Sequence, residues 1–354
     1  MAMSPAKAKP PQSRVLFLAD CGPQVGGGHV MRCLSLARAL LDQGAACAVI
    51  SPPAVTPLLE VFADARIERL AMAAGPLHAL VDATREGAAS WSADLIVVDH
   101  YGLSAEPERH LGLPIAAIDD LADRTHHCRL LIDPSLGREP GDYAALTPAG
   151  ARVLAGPAYA LLAPDYAATR AWALKARRPD APPRKLLVSL GLMDLRGLTG
   201  RVLNTLEPLL EGLEVDVVVG GQAQSLTWLK HLAARDAHVR LHVDTREMAA
   251  LIASADVGIG AGGSSTWERA ALGLPSLSLV LADNQRDLTC DLDRRGATLA
   301  VEARSETFAS DLQAAFGRLL GHGDLRARLS ETSAALCDGQ GAVRAARAVL
   351  ETAG

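Results

Sequence analysis

The sequence predicts an α/β protein of two Rossmann-like domains with a cleft between them. Three observations carry this. Short apolar runs alternate with helical patterns, the βαβ signature of parallel sheets covered on both faces. The alternation stops at a basic, proline-rich stretch, "ALKARRPDAPPRK", and then restarts. The 354 residues are enough for two domains of ordinary size.

The elements follow in order. "RVLFLAD" (Arg14–Asp20) is apolar without alternation, as in a strand buried on both faces. A helix is expected from about His29 to Asp42, with Gly44 as its C-terminal stop. "AACAVI" (Ala45–Ile50), "DLIVVDH" (Asp94–His100), "PIAAIDD" (Pro114–Asp120) and "RLLIDPS" (Arg129–Ser135) are further strands, and the last three carry acids at their carboxyl edges. After the break come strands at Lys185–Gly191, Glu214–Gly221, His238–Asp244 and Asp256–Gly263, and then "PSLSLVLAD", with helices between them. The expected organisation is a disordered tail over 1–12, a first domain over 13–167 and a linker over 168–184. A second domain follows over 185–335, and a last helix over 336–354 could return to the first. Ligands of such sheets bind beyond the carboxyl ends of the strands, so the cleft between the domains is the natural site.

Composition narrows the partners. Hydrophobic residues make up 49% and aromatics 3%, so Leu, Ala and Val must fill a large core. The net charge of -5 and the lack of a long basic run argue against nucleic acid. Six scattered cysteines form no C-x-x-C pair, so neither a zinc site nor a disulfide framework is indicated, and a reducing cytoplasm is expected. The polar, proline-containing start lacks the apolar core of a signal peptide, and no run is long enough to span a membrane.

Two glycine loops stand out. In "GGGHVMRC" the dinucleotide fingerprint fails for want of its third glycine, and no Gly-Lys-Ser/Thr marks a phosphate loop. What remains is His29, just after Gly28, where a strand–loop–helix junction opens onto the cleft. A helix N-terminus favours neutral imidazole and lowers its pKa, which would suit a general base. The alternative is a capping or solvated histidine. Arg32, one turn on, could reach an anion, but a structural pairing with Asp20 is the preferred reading. The adjacent His126 and His127 point apart, and no ligand lies four residues on, so a metal site is not expected.

The second loop, "GAGGSSTWERAALG", runs from a strand into Ser264, Ser265 and Thr266, which open a helix. Free backbone N–H groups and hydroxyls there would suit a pyrophosphate. Glu268 could accept both hydroxyls of a ribose, or could close a capping box with Ser265. Asn284 and Gln285 end the next strand, where they could hold sugar hydroxyls or form an Asx-type turn.

Together "GGGHVMRCLSLA", "VVDHYG", "IDDLADR", "GPAYALLAPDY" and "GGSSTWERAALGLPSLSLVLADNQ" resemble the nucleotide-sugar hydrolases of pseudaminic acid biosynthesis, a route that feeds flagellin glycosylation. These enzymes are similar in fold to two-domain GT-B glycosyltransferases. The resemblance implies hydrolysis of UDP-2,4-diacetamido-2,4,6-trideoxy-β-L-altropyranose to the free sugar and UDP. Configuration inverts, and no metal or other cofactor takes part. It implies His29 as the base, Tyr101 and Asn284 near the sugar, and Ser264, Ser265 and Glu268 toward the diphosphate and uridine. "LGLMDLRGLT" departs from the family pattern, with Leu192 in place of a glycine and Gly197 in place of an asparagine.

Overall fold

The computed structural model describes residues 13–22 and 25–354. The tail expected over 1–12 lies outside them. The first half contains β1 (Arg14–Ala19), α1 (Gly28–Asp42), β2 (Ala46–Ser51), α2 (Thr56–Phe62), β3 (Glu68–Ala71), α3 (Leu77–Trp91) and β4 (Leu95–Asp99). It continues through α4 (Ala105–Arg109), β5 (Ile115–Ile118), β6 (Leu130–Asp133) and β7 (Arg152–Ala155). Helix α5 (Pro164–Ala176) leads into the second half. There β8 (Lys185–Ser189), α6 (Leu198–Leu206), β9 (Glu214–Val219), α7 (Leu226–Arg235), β10 (Val239–Val243), α8 (Met248–Ser254) and β11 (Val257–Ala261) follow. Next are α9 (Ser265–Ala271), β12 (Ser276–Val280), α10 (Arg286–Arg295), β13 (Leu299–Glu302), α11 (Phe308–Gly321), α12 (Gly323–Leu336) and α13 (Gly341–Ala353).

The strands form two wholly parallel sheets, ordered β3-β2-β1-β4-β5-β6-β7 and β10-β9-β8-β11-β12-β13. In both, the order reverses beside the first strand of the half, at β1/β4 and at β8/β11. That reversal opens a crevice at the carboxyl edge. The α/β class and the two doubly wound halves are those the alternation predicted. Strands β4 and β11 are buried throughout and β1 is buried beyond Arg14, as their unbroken apolar runs require. Gly44 has φ +90 just after α1, the left-handed stop expected there.

The stretch expected as a linker is helical in its first half, up to Ala176. Helix α5 is fastened to the second half by two arginines. Arg170 donates to the carbonyls of Cys337 at 3.0 Å and Ala334 at 2.7 Å, and Arg177 to that of Ile252 at 2.9 Å. The last helix, α13, packs against α1, and its Ala345, Ala346 and Val349 are buried in the same core as Leu36 and Leu40. Among the described residues no helix is long and apolar enough to cross a membrane.

Candidate active site

Helix α1 is the first helix after β1 and begins at Gly28, and its first turn meets the end of β4, the strand paired with β1. His29 therefore meets Asp99, the last residue of that strand. Its Nδ1 stands 2.8 Å from Asp99 Oδ1. The ring is 5% exposed and meets Tyr101 edge-on, with centroids 4.4 Å apart. Nδ1 is thus committed to the carboxylate, which leaves Nε2 as the nitrogen open to a substrate.

Asp99 is fully buried and also holds a guanidinium. Arg32 donates from Nε to Oδ2 at 2.5 Å and from Nη2 to Oδ1 at 2.7 Å. The same guanidinium reaches Asp120 Oδ2 at 2.7 Å, and Asp120 Oδ1 accepts from the Tyr101 hydroxyl at 2.9 Å. The chain His29–Asp99–Arg32–Asp120–Tyr101 closes on itself through the edge-on contact of the two rings. Arg32 is structural, as expected, but its partners are Asp99 and Asp120. Asp20 instead lies 3.8 Å from His100 Nε2.

This arrangement reverses the expected electrostatics of His29. Burial pushes its pKa down, but the adjacent Asp99 carboxylate outweighs burial, and the pKa ends up raised above 6.5. A helix N-terminus contributes a partial charge, whereas Asp99 contributes a whole one in hydrogen-bond contact. Asp99 itself is opposed by burial, yet Arg32 and His29 hold it well below the usual carboxylate range. A stable carboxylate on Nδ1 fixes the ring and strengthens Nε2 as a proton acceptor.

The neighbouring acids at the sheet edge serve the scaffold. Tyr143 donates to both Asp119 and Asp133, at 2.9 and 2.7 Å. His126 Nδ1 lies 2.8 Å from Glu108 Oε1, and its pKa is pushed up to about 9; burial opposes the rise, and Asp119 and Glu108 overcome it. Among the described residues no cluster of three or more His, Cys, Asp or Glu is arranged to hold a metal ion.

The second loop is built differently. A Cβ on Gly260 would collide with the buried guanidinium of Arg269, and one on Gly262 with the Thr289 hydroxyl. These two glycines make room for side chains of their own domain and not for a ligand. Thr266 also turns inward. It is buried, with its hydroxyl donating to Ala261 O at 3.3 Å and accepting from Arg269 at 3.2 Å, which withdraws its side chain from the expected substrate set. The Ser265–Glu268 capping box does not form, because α9 starts one residue too early for it and Ser264 holds the cap position without a side-chain bond. The Ser265 hydroxyl accepts from Arg269 at 3.3 Å. Glu268 is half-buried, and burial lifts its carboxyl to about 7, with the Tyr166 hydroxyl and Arg269 pulling the other way. Asn284 is exposed on the 3-10 turn Asp283–Gln285, and Gln285 folds back to accept from Leu281 N at 3.1 Å.

The two loops face each other. A Cβ placed on Gly28 would lie 3.4 Å from Ser264 Oγ, and one on Gly27 would lie 2.9 Å from Leu58 Cδ1 and 3.5 Å from Leu192 Cδ1. Arg246, just before α8, donates to the carbonyl of Val61 in α2 at 2.6 Å. His29, Gly28 and Tyr101 thus sit on one wall, and Ser264, Ser265, Glu268, Asn284 and Gln285 belong to the other. Sequence reasoning placed acids at the strand ends without assigning Asp99 or Asp120 to the site. The available signal was the acid immediately before "HYG" and before "LADR".

No family model matches the chain. It is 22% identical over 291 residues to the UDP-2,4-diacetamido-2,4,6-trideoxy-beta-L-altropyranose hydrolase of Campylobacter jejuni, covering 80% of this chain and 97% of that one. It is 27% identical over 196 residues to the spore coat polysaccharide biosynthesis protein SpsG of Bacillus subtilis, covering 54% of this chain and 56% of that one. Among solved structures it is similar to MurG of Acinetobacter baumannii, with a TM-score of 0.64 at 16% identity, covering 96% of this chain and 99% of that one. The spinosyn rhamnosyltransferase SpnG gives a TM-score of 0.61 at 18% identity, covering 95% and 100%. The fold is that of GT-B glycosyltransferases, and the resemblance read from the motifs is the one these relatives carry.

Proposed function

We propose that this chain hydrolyses a UDP-sugar, UDP-2,4-diacetamido-2,4,6-trideoxy-β-L-altropyranose, to the free sugar and UDP with inversion, as a step of pseudaminic acid biosynthesis. The observation that carries the reading is the His29–Asp99 pair, 2.8 Å apart on one wall, opposite the serine loop of the other. The 22% identity to the Campylobacter hydrolase over 97% of its length supports the choice of sugar.

UDP is a good leaving group, so the task is to place a water opposite it and take its proton. His29 Nε2 accepts that proton while Asp99 stabilises the imidazolium that forms, a contribution of about 10²–10⁴-fold. Charge on the anomeric carbon develops as in glycoside hydrolysis. The backbone N–H groups and hydroxyls of Ser264 and Ser265 receive the charge growing on the departing phosphate. Tyr101 buttresses the His29 ring, and Asn284 and Gln285 approach the sugar. Turnover is expected to persist in EDTA.

The fold neighbours are glycosyltransferases, which favours a second reading in which an acceptor hydroxyl replaces water. One experiment separates them. The purified chain is incubated with the UDP-altropyranose alone, and the anomeric sugar signals and UDP are followed by NMR. Release of free sugar of inverted configuration supports the hydrolase. Turnover only after an acceptor is added would replace it with the transferase.

A further inference from the structure

The carboxyl end of β4 carries more than the partners of His29. Asp99 and Tyr101 both touch His29, and His100 stands between them in the chain. On the neighbouring strand, Asp20 directly follows β1, and its N–H donates to the carbonyl of Asp99 at 2.8 Å. His100 and Asp20 thus meet where the strand order reverses and the crevice opens. His100 Nε2 and Asp20 Oδ1 are 3.8 Å apart, and the two side chains keep 15% and 20% of their surface exposed. The imidazole is held in one orientation, because its Nδ1 accepts from Gly102 N–H at 3.0 Å. A Cβ on Gly102 would lie 3.1 Å from the ring, so the glycine lets the imidazole rest against the backbone. Burial brings the ring's pKa below 6.5; Asp20 opposes the fall and His29 adds to it. A neutral imidazole that accepts at Nδ1 carries its proton on Nε2. His100 therefore offers a donor and Asp20 an acceptor, at a separation too long for a bond between them. One oxygen about 2.8 Å from each would bridge the pair, provided that it both accepts and donates. A hydroxyl does both. An amide oxygen only accepts, and an amide nitrogen only donates.

We propose that Asp20 and His100 form a specificity pair that grips a hydroxyl of the substrate's sugar, with His100 Nε2 donating to it and Asp20 Oδ1 accepting from it. This rests on reading the chain as a hydrolase of the UDP-altropyranose. That sugar carries acetamido groups at C2 and C4 and no oxygen at C6, so the hydroxyl at C3 is its one free hydroxyl. The pair therefore selects for the C3 oxygen and, by holding it, sets the sugar beside His29. The ribose hydroxyls belong to the opposite wall, with Glu268.

The test compares kcat/KM for the UDP-altropyranose and for its 3-deoxy analogue in the full chain, in Asp20→Ala, in His100→Ala and in His100→Gln. Inhibition by UDP is measured alongside. UDP lacks the sugar, so its inhibition constant reports the fold and the opposite wall. Removing the C3 oxygen changes the intrinsic reactivity of the sugar equally in every protein, so the ratio of the two substrates is compared between proteins. Each alanine variant is expected to cut the preference for the hydroxyl-bearing substrate by about ten- to hundredfold, by slowing that substrate alone, with UDP inhibition unchanged. Glutamine returns an N–H donor near the place of Nε2, so His100→Gln should keep most of the preference. The two alanine variants are read independently. If both show the preference of the unmodified chain, whether both substrates slow together or neither does, the pair is structural or bridged by a fixed water. Its role in specificity is then overturned, and the hydrolase reading stands. If the unmodified chain releases no sugar from either nucleotide, the hydrolase reading fails and the proposal fails with it.

Discussion

The two glycine loops look alike in sequence and do opposite work. Each follows a strand and opens a helix at the carboxyl edge of its sheet. In the first, a Cβ on Gly28 would face Ser264 of the other domain, and one on Gly27 would meet Leu58 of its own domain and then Leu192 of the other. In the second, the space at Gly260 and Gly262 is filled from within by Arg269 and Thr289. A glycine marks a close approach, but what approaches is decided by the rest of the fold. The chemistry of the loops differs in the same way. The first presents an imidazole backed by a buried acid, and the second presents hydroxyls and backbone amides.

The sharpest way to break this comparison is His29→Ala. It is expected to lower kcat by about 10²–10⁴-fold while UDP affinity changes little, read as released UDP against calorimetric binding. Near-normal turnover would remove the first loop from the chemistry. Gly260→Ala attacks the second loop. The added methyl must displace a buried, hydrogen-bonded guanidinium, and a loss of about 3–5 kcal/mol in chemical denaturation is expected. Gly28→Ala, by contrast, meets only a serine hydroxyl at 3.4 Å across the cleft, so a stability cost below about 1 kcal/mol is expected. Equal costs at the two glycines would erase the distinction between them.

A smaller, more diagnostic effect lies in pH. His29 has a raised pKa and must be deprotonated to act as a base, so kcat/KM should fall as pH drops through a value above 6.5. Asp99→Asn removes the cause of the rise, so the acid limb should move to lower pH as the maximum rate falls. A limb that stays in place would assign it to another group. The smallest effect is expected at Gly197→Asn. Gly197 has φ +62, and asparagine tolerates that left-handed conformation better than other side chains, so the change should lie within about 1 kcal/mol.

The strands legible in the sequence were mainly the buried ones. Unbroken apolar runs located β1, β2, β4, β5 and β6 and β8 to β12 to within a residue or two at most ends. Missing from that reading were β3, β7 and β13, and each of them is an edge strand of four residues. An edge has fewer neighbours to bury it, so "ERLA" carries no apolar signal. The site was legible to a similar degree. His29 stood out because an imidazole followed glycines, whereas Asp99 and Asp120 looked like ordinary strand ends. Thr266 looked like Ser264, and only its place in α9, where its hydroxyl meets Ala261 O and Arg269, turned it inward.

By itself the sequence determined the two α/β halves, the order of most of their elements along the chain and the residue types gathered at the carboxyl edges. Local pattern suffices for that, since burial on both faces demands continuous apolar runs and crossovers demand helices. Tertiary structure alone decided who pairs with whom. His29 meets an acid 70 positions along the chain because β4 returns beside β1, and that contact reverses the sign of its pKa shift. Such pairings depend on distances that no stretch of sequence encodes locally, and charge interactions at hydrogen-bond range outweigh the weaker field of a helix end.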